Sequence, residues 1–128
     1  MKTRLVLIIA AMLCSATALA ERAPNSEPEA AIEYLLARVA SSELEFVRNG
    51  KTHSPTEAVK HMRRKYEYYE DRIDTAEDFI ALAATKSMIS GKQYTIRNHS
   101  GVQPAAQWLK SVLAEYRASQ SGAGAPAE

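Results

Sequence analysis

The chain is 128 residues long, with 16 Lys and Arg against 15 Asp and Glu, 46% hydrophobic residues and a single Cys. That length fits one domain, and 5 Gly, 5 Pro and near-balanced charge exclude collagen-like, disulfide-scaffold, polybasic and strongly disordered classes. A dedicated nucleic-acid binder usually carries a basic excess, so nucleic acid is not an expected partner.

Met1-Lys2-Thr3-Arg4 precedes an apolar run from Leu5 to Leu13 and then small residues ending at Ala18-Leu19-Ala20. This is the three-part plan of a secretory signal peptide, with cleavage expected after Ala20 and a periplasmic location for the product. The apolar run is shorter than the roughly 20 residues that span a bilayer, so a retained anchor is not expected. Cys14 raises the alternative of a lipoprotein, but Leu13 stands where that processing wants a small residue. Removing Lys2 and Arg4 leaves 14 basic against 15 acidic residues, a net charge of −1 over the remaining 108 residues. Cys14 leaves with the signal, so the mature chain has no thiol for a disulfide, a zinc–thiolate cluster or a cysteine nucleophile.

Residues 21–27 read as a flexible polar leader, and 119–128, rich in Gly, Ala and Ser, as a disordered tail. The single domain is expected over 28–118. A first helix starts near Pro28 with Ser26 as cap, and Ile32, Leu35, Leu36 and Val39 form its inward stripe. The period then changes to two in residues 44–48, Asn49-Gly50 supplies a type I′ hairpin turn, and Lys51-Thr52-His53 returns. Ser54-Pro55-Thr56-Glu57 is a capping box that opens a second helix running to about Tyr69. Its spacing puts Val59, Met62, Tyr66 and Tyr69 inward and Glu57, His61, Arg64 and Tyr68 toward solvent or a partner.

Asp74-Thr75-Ala76-Glu77 reads as a second capping box, for a third helix that buries Ala76, Phe79, Ile80 and Ala83. A turn at Ser90-Gly91-Lys92 leads to a third strand at residues 94–97. A fourth helix from Pro104 buries Trp108, Leu109, Val112, Leu113 and Tyr116. The predicted class is α+β: a mainly helical single domain of about four helices with a small antiparallel sheet, a hairpin plus one strand.

Taken together, residues 46–50 (FVRNG), 53–66 (HSPTEAVKHMRRKY), 72–80 (RIDTAEDFI) and 90–96 (SGKQYTI) resemble the YfeK-like family of small exported Gram-negative proteins, a domain of unknown function. The resemblance covers roughly residues 29–117. It implies a periplasmic single-domain bacterial protein and transfers no catalytic residue.

Three constellations carry candidate chemistry. His53, Glu57 and His61 are spaced four apart, and two imidazoles with a carboxylate could hold zinc with an open position. Lys60, Arg64 and Lys65 crowd the same helix and would repel a dication, and Glu57 serves the cap, so a solvated surface is the default there. The run Lys60-His61-Met62-Arg63-Arg64-Lys65, joined by Arg48, Arg72 and Lys92 from neighbouring turns, would suit a carboxylate or phosphate on a partner. The bland alternative pairs this run with Glu67, Glu70 and Asp71. Among Tyr66, Tyr68 and Tyr69, only Tyr68 is left outward by the helical spacing.

Ser54 beside His53 and Ser100 beside His99 lack any nucleophile signature, and Gly91-Lys92 lacks the glycine and Ser/Thr of a P-loop. Asn98-His99-Ser100 matches a glycosylation sequon that a bacterial source makes incidental. Arg72 and Asp74 are expected to pin the link between helices two and three. The sequence therefore points to a non-enzymatic periplasmic binding module for a protein or anionic envelope component, with His61, Arg64, Tyr68, Arg48, Arg72 and Lys92 as binding residues and no cofactor. The alternative is a small envelope hydrolase using His53, Glu57 and His61.

Overall fold

The structure is a computed structural model that describes residues 26–123. The expected signal peptide, most of the expected leader and the last five residues lie outside the described residues. Helix α1 (Glu27–Ser41) begins with Pro28 in its first turn, where the missing N–H costs nothing. Ser26 occupies the cap position, but its hydroxyl makes no cap bond; only its carbonyl is used, accepting from the Ala30 N–H at 2.9 Å. Ala31, Ile32, Leu35, Leu36 and Val39 are buried along one face.

Strands β1 (Glu45–Arg48) and β2 (Lys51–His53) form the expected hairpin. Both turn residues are left-handed, Asn49 at φ 51° and Gly50 at φ 78°, as a type I′ turn requires. Helix α2 (Pro55–Tyr68) opens on a complete capping box: Glu57 N–H donates to the Ser54 hydroxyl, and the Glu57 carboxylate accepts the Ser54 N–H, each at 3.2 Å. A 3₁₀ turn, Glu70–Arg72, leads to helix α3 (Ala76–Ala83). The cap of α3 sits one residue later than its sequence predicts, because Thr75 and Asp78 form the box. Asp78 Oδ2 accepts the N–H groups of both Asp74 and Thr75, which pins the link, while Glu77 turns away to Arg117.

Strands β3 (Thr95–Asn98) and β4 (Gly101–Pro104) form a second hairpin, followed by helix α4 (Ala105–Ala123). The sheet is antiparallel with order β2-β1-β3-β4, so β1 and β3 are central. β4 goes beyond the three strands expected. It is a short edge strand holding Gly101, the exposed Val102 and Pro104, and it pairs through its backbone without apolar alternation. Helix α4 runs to Ala123, so the first five residues of the tail expected to be disordered from 119 are helical. Its last turns carry no apolar anchor, so they leave no trace in a hydrophobic pattern, but Ser, Gln and Ala continue a helix once it is started.

One face of the sheet is covered. Phe46 sits opposite Ile96 across the central pair and both are buried, whereas Glu45 and Arg97, opposite each other on the other face, form an exposed ion pair at 3.2 Å. The core gathers Ile32, Leu35 and Leu36 of α1, Phe79 and Ile80 of α3, and Leu109 and Val112 of α4 against that face. Edge-to-face rings extend it, Tyr66 on Phe79 at 5.6 Å and Phe46 near Trp108 at 6.3 Å. Trp108 and Tyr116 are half-buried rather than fully enclosed. Among the described residues no helix is long and apolar enough to cross a membrane.

Candidate functional site

Side chains alternate along β1, so Arg48 projects from the same covered face as Phe46, two residues further toward the hairpin turn. Helix α2 packs over this end of the sheet, leaving a cavity of about 200 Å³ between them. Phe46, Ala58, Met62 and Ala105 supply apolar walls, and Arg48, Lys60, Arg64, His53, His61, Glu57 and Tyr94 supply the polar groups.

The placement of His61 corrects the expectation from helical spacing. It does not share the solvent face with Arg64 and Tyr68; it is half-buried and turned toward the sheet. The inward face of α2 runs through Ala58, Met62 and Tyr69, with Val59 and Tyr66 half-buried at its margin, and the sheet end reaches the flank where His61 and Lys65 lie.

A polar chain follows from the donors available. Arg48 has only N–H groups to offer, so its Nη1 donates to the lone pair of His61 Nδ1 at 2.6 Å. With Nδ1 unprotonated, His61 Nε2 carries the hydrogen and donates to the Tyr94 hydroxyl at 3.1 Å. Lys65 Nζ donates to the same hydroxyl oxygen at 3.1 Å and to the Lys86 carbonyl at 3.0 Å. Burial, then the charges of Arg48, Lys65, Arg64 and His53, push the His61 pKa down to about 4, so the ring is neutral at pH 7. Burial also raises Tyr94, which keeps its phenol protonated, and lowers Lys65 with help from Arg48. The Tyr94 hydroxyl thus accepts twice and retains its own proton to give.

His53 closes one side. Its Nδ1 faces Glu57 Oε2 at 3.2 Å, while its Nε2 is buried without a hydrogen-bond partner. An unpaired buried nitrogen costs about 1–3 kcal/mol, a cost carried beside the cavity that His53 lines. Glu57 is the single carboxylate among the lining residues, and it is already occupied by Ser54 and His53. Elsewhere arginines find carboxylates: Arg63 holds Glu33 at 2.8 Å, Arg97 holds Glu45, Arg38 holds Glu115 and Arg117 holds Glu77. Arg48 and Arg64 form no such pair with any described residue.

Of the binding residues expected from sequence, the fold brings Arg48, His61 and Arg64 together. Tyr68 stands outside the cavity, 79% exposed and edge-on to Tyr69. Arg72 lies in the 3₁₀ turn, and Lys92 lies in the turn after α3, so neither lines the site. His53 and Glu57 meet, but His61 faces a guanidinium instead, and among the described residues no three His, Cys, Asp or Glu side chains are grouped to hold a metal ion. Sequence reading missed Tyr94 and the inward role of Lys65. The alternation Tyr94-Thr95-Ile96 carried a signal, since it puts Tyr94 on the face of buried Ile96, where a phenol needs polar partners.

These features define a small α+β domain with a cationic, apolar-walled cavity between a helix and the end of an antiparallel sheet. Residues 26–117 match the model of a family of unknown function, DUF5329, and the chain belongs to that family. It is similar to the uncharacterized protein YfeK of Salmonella typhimurium strain LT2, with 46% identity over 71 residues. That match covers 55% of this chain and 59% of the relative's length. No solved structure matches the chain.

Proposed function

We propose that the protein is a non-enzymatic binding module, exported to the periplasm by cleavage after Ala20, whose cavity takes an anionic group borne by an envelope component or a partner protein. The observation that carries this reading is the grouping of Arg48, Lys60 and Arg64 around an apolar-walled cavity whose only lining carboxylate is already engaged. A neutral His61 and a protonated Tyr94 add hydrogen-bonding groups without adding negative charge. About 200 Å³ is below the roughly 300–1,000 Å³ of pockets for drug-sized ligands, so the fitting occupant is a small anion with a short apolar attachment, or the end of a larger molecule.

Calorimetric titration with butyrate, and with uncharged butyramide as control, tests the reading. Butyrate is expected to bind and butyramide to bind far more weakly. Arg48→Gln removes a charge-assisted hydrogen bond of about 1.5–3 kcal/mol and should weaken butyrate binding at least tenfold. Arg64→Glu should weaken it as well, and Tyr68→Ala should leave it unchanged. Equal affinity for the charged and uncharged probes would remove the anion from the proposal.

A further inference from the structure

The turn after α3 exposes two large apolar side chains, Ile89 at 98% and Met88 at 65%. It is a built turn. Ser87 N–H donates to the Lys92 carbonyl at 3.0 Å, and Gly91 N–H donates to the Ser87 carbonyl at 2.9 Å. The buried Ser87 hydroxyl accepts the N–H groups of Ile89 and Ser90 at 3.3 and 3.4 Å. Asn49, at the tip of the β1–β2 hairpin, donates its amide to Ser87 Oγ and accepts from Ser90 Oγ, which fastens the two turns together. The fold thus holds Met88 and Ile89 out in water, against the hydrophobic effect.

The two segments that meet at this tip carry charge of one sign. Lys86 and Lys92 flank it and Lys51 follows the fastened hairpin turn, while the chain contains no Asp or Glu from Phe79 to Ala114 or from Phe46 to Thr56. Two apolar side chains are too little for a stable protein interface, which takes about 800 Å² from each partner. They are enough for shallow, reversible insertion beneath lipid head groups when lysines meet anionic lipid around them.

We infer that the Ser87–Gly91 turn docks this protein onto an anionic lipid bilayer, with Met88 and Ile89 entering the interface and Lys51, Lys86 and Lys92 lying over the head groups. The long lysine stems allow the charges to reach the head groups while the tip goes deeper. This surface is separate from the cavity, and neither proposal depends on the other.

Vesicle sedimentation tests it, using the chain from Glu21 onward, which keeps every buried core residue of the described fold and removes the apolar run at 5–13. Binding is expected to vesicles of equal phosphatidylglycerol and phosphatidylethanolamine, and not to pure phosphatidylcholine. Ile89→Asp should lower the partition coefficient by about tenfold or more, since a buried isoleucine contributes that much transfer energy. Lys86→Gln and Lys92→Gln should each lower it by about fivefold, and by less in high salt. Because Ile89 touches solvent on nearly all sides, its variant should keep the wild-type melting temperature. No binding to anionic vesicles, or equal binding by wild type and Ile89→Asp, overturns the inference; a tip that docks a protein instead gives the first of these results.

Discussion

His61 is the residue whose ionisation the fold controls most strongly. In the unfolded chain its imidazole titrates near pH 6.5, and in the folded protein burial and its cationic neighbours bring that down to about 4. Between those values the unfolded state binds more protons, so the contribution of a neutral His61 is fully present above about pH 6.5 and is lost as pH falls toward 4. Melting temperatures measured from pH 7 to pH 4.5 should therefore fall for the wild type and change less for His61→Gln; parallel curves would contradict the buried, neutral imidazole. Glu33 and Glu77, held below the usual carboxylate range by Arg63 and Arg117, lose their contributions further into acid, which keeps the regions distinct. Gly50 makes a second prediction at this scale. A Cβ there would meet no atom within 4 Å, so any cost comes from the backbone at φ 78° alone. Gly50→Ala should cost about 1–2 kcal/mol and Gly50→Val more, as read by chemical denaturation, because a β-branched residue is worst in that conformation.

Among the elements, the helix starts are the most exactly specified by local chemistry. Ser54→Ala and Thr75→Ala each remove one half of a capping box and should each cost about 1 kcal/mol in denaturant unfolding. The Ser54 box and the Asn49-Gly50 turn were legible because both depend on residues within a few positions of each other. The α3 box shifted by one residue because Asp74-Glu77 and Thr75-Asp78 offer equivalent patterns; in the structure Glu77 pairs with Arg117 and Asp78 completes the box. β4 was illegible for a different reason: an edge strand paired through its backbone needs no apolar alternation. The facing of His61 was illegible because helical periodicity identifies a core stripe but says nothing about which neighbour covers its flank. Arg48 and Tyr94 reach that flank only through the β1–β3 pairing, a contact between segments about fifty residues apart.

For the whole molecule, the fold breaks up a basic run that looked like a solvated helix surface, part of which lines the cavity, and sets that cavity apart from a second feature, the lysine-flanked apolar tip carried by other segments. Arg63 leaves the run to pair with Glu33 on α1, and Lys65 turns inward to Tyr94, so only Lys60 and Arg64 join Arg48 around the cavity. Export is the setting proposed for both features: the mature protein should begin at Glu21, and N-terminal sequencing of the periplasmic fraction checks this, with a retained Met1 or a lipid on Cys14 as the contrary result. The anion site itself is tested most directly by NMR of the histidine-labelled protein titrated with butyrate. The predicted result is a saturable shift of the His61 ring resonances with an imidazole pKa that rises from about 4, as the bound carboxylate offsets the charges of Arg48, Arg64 and Lys65. A His61 ring that keeps the same resonances and the same pKa at millimolar butyrate would contradict an anion site between α2 and the sheet.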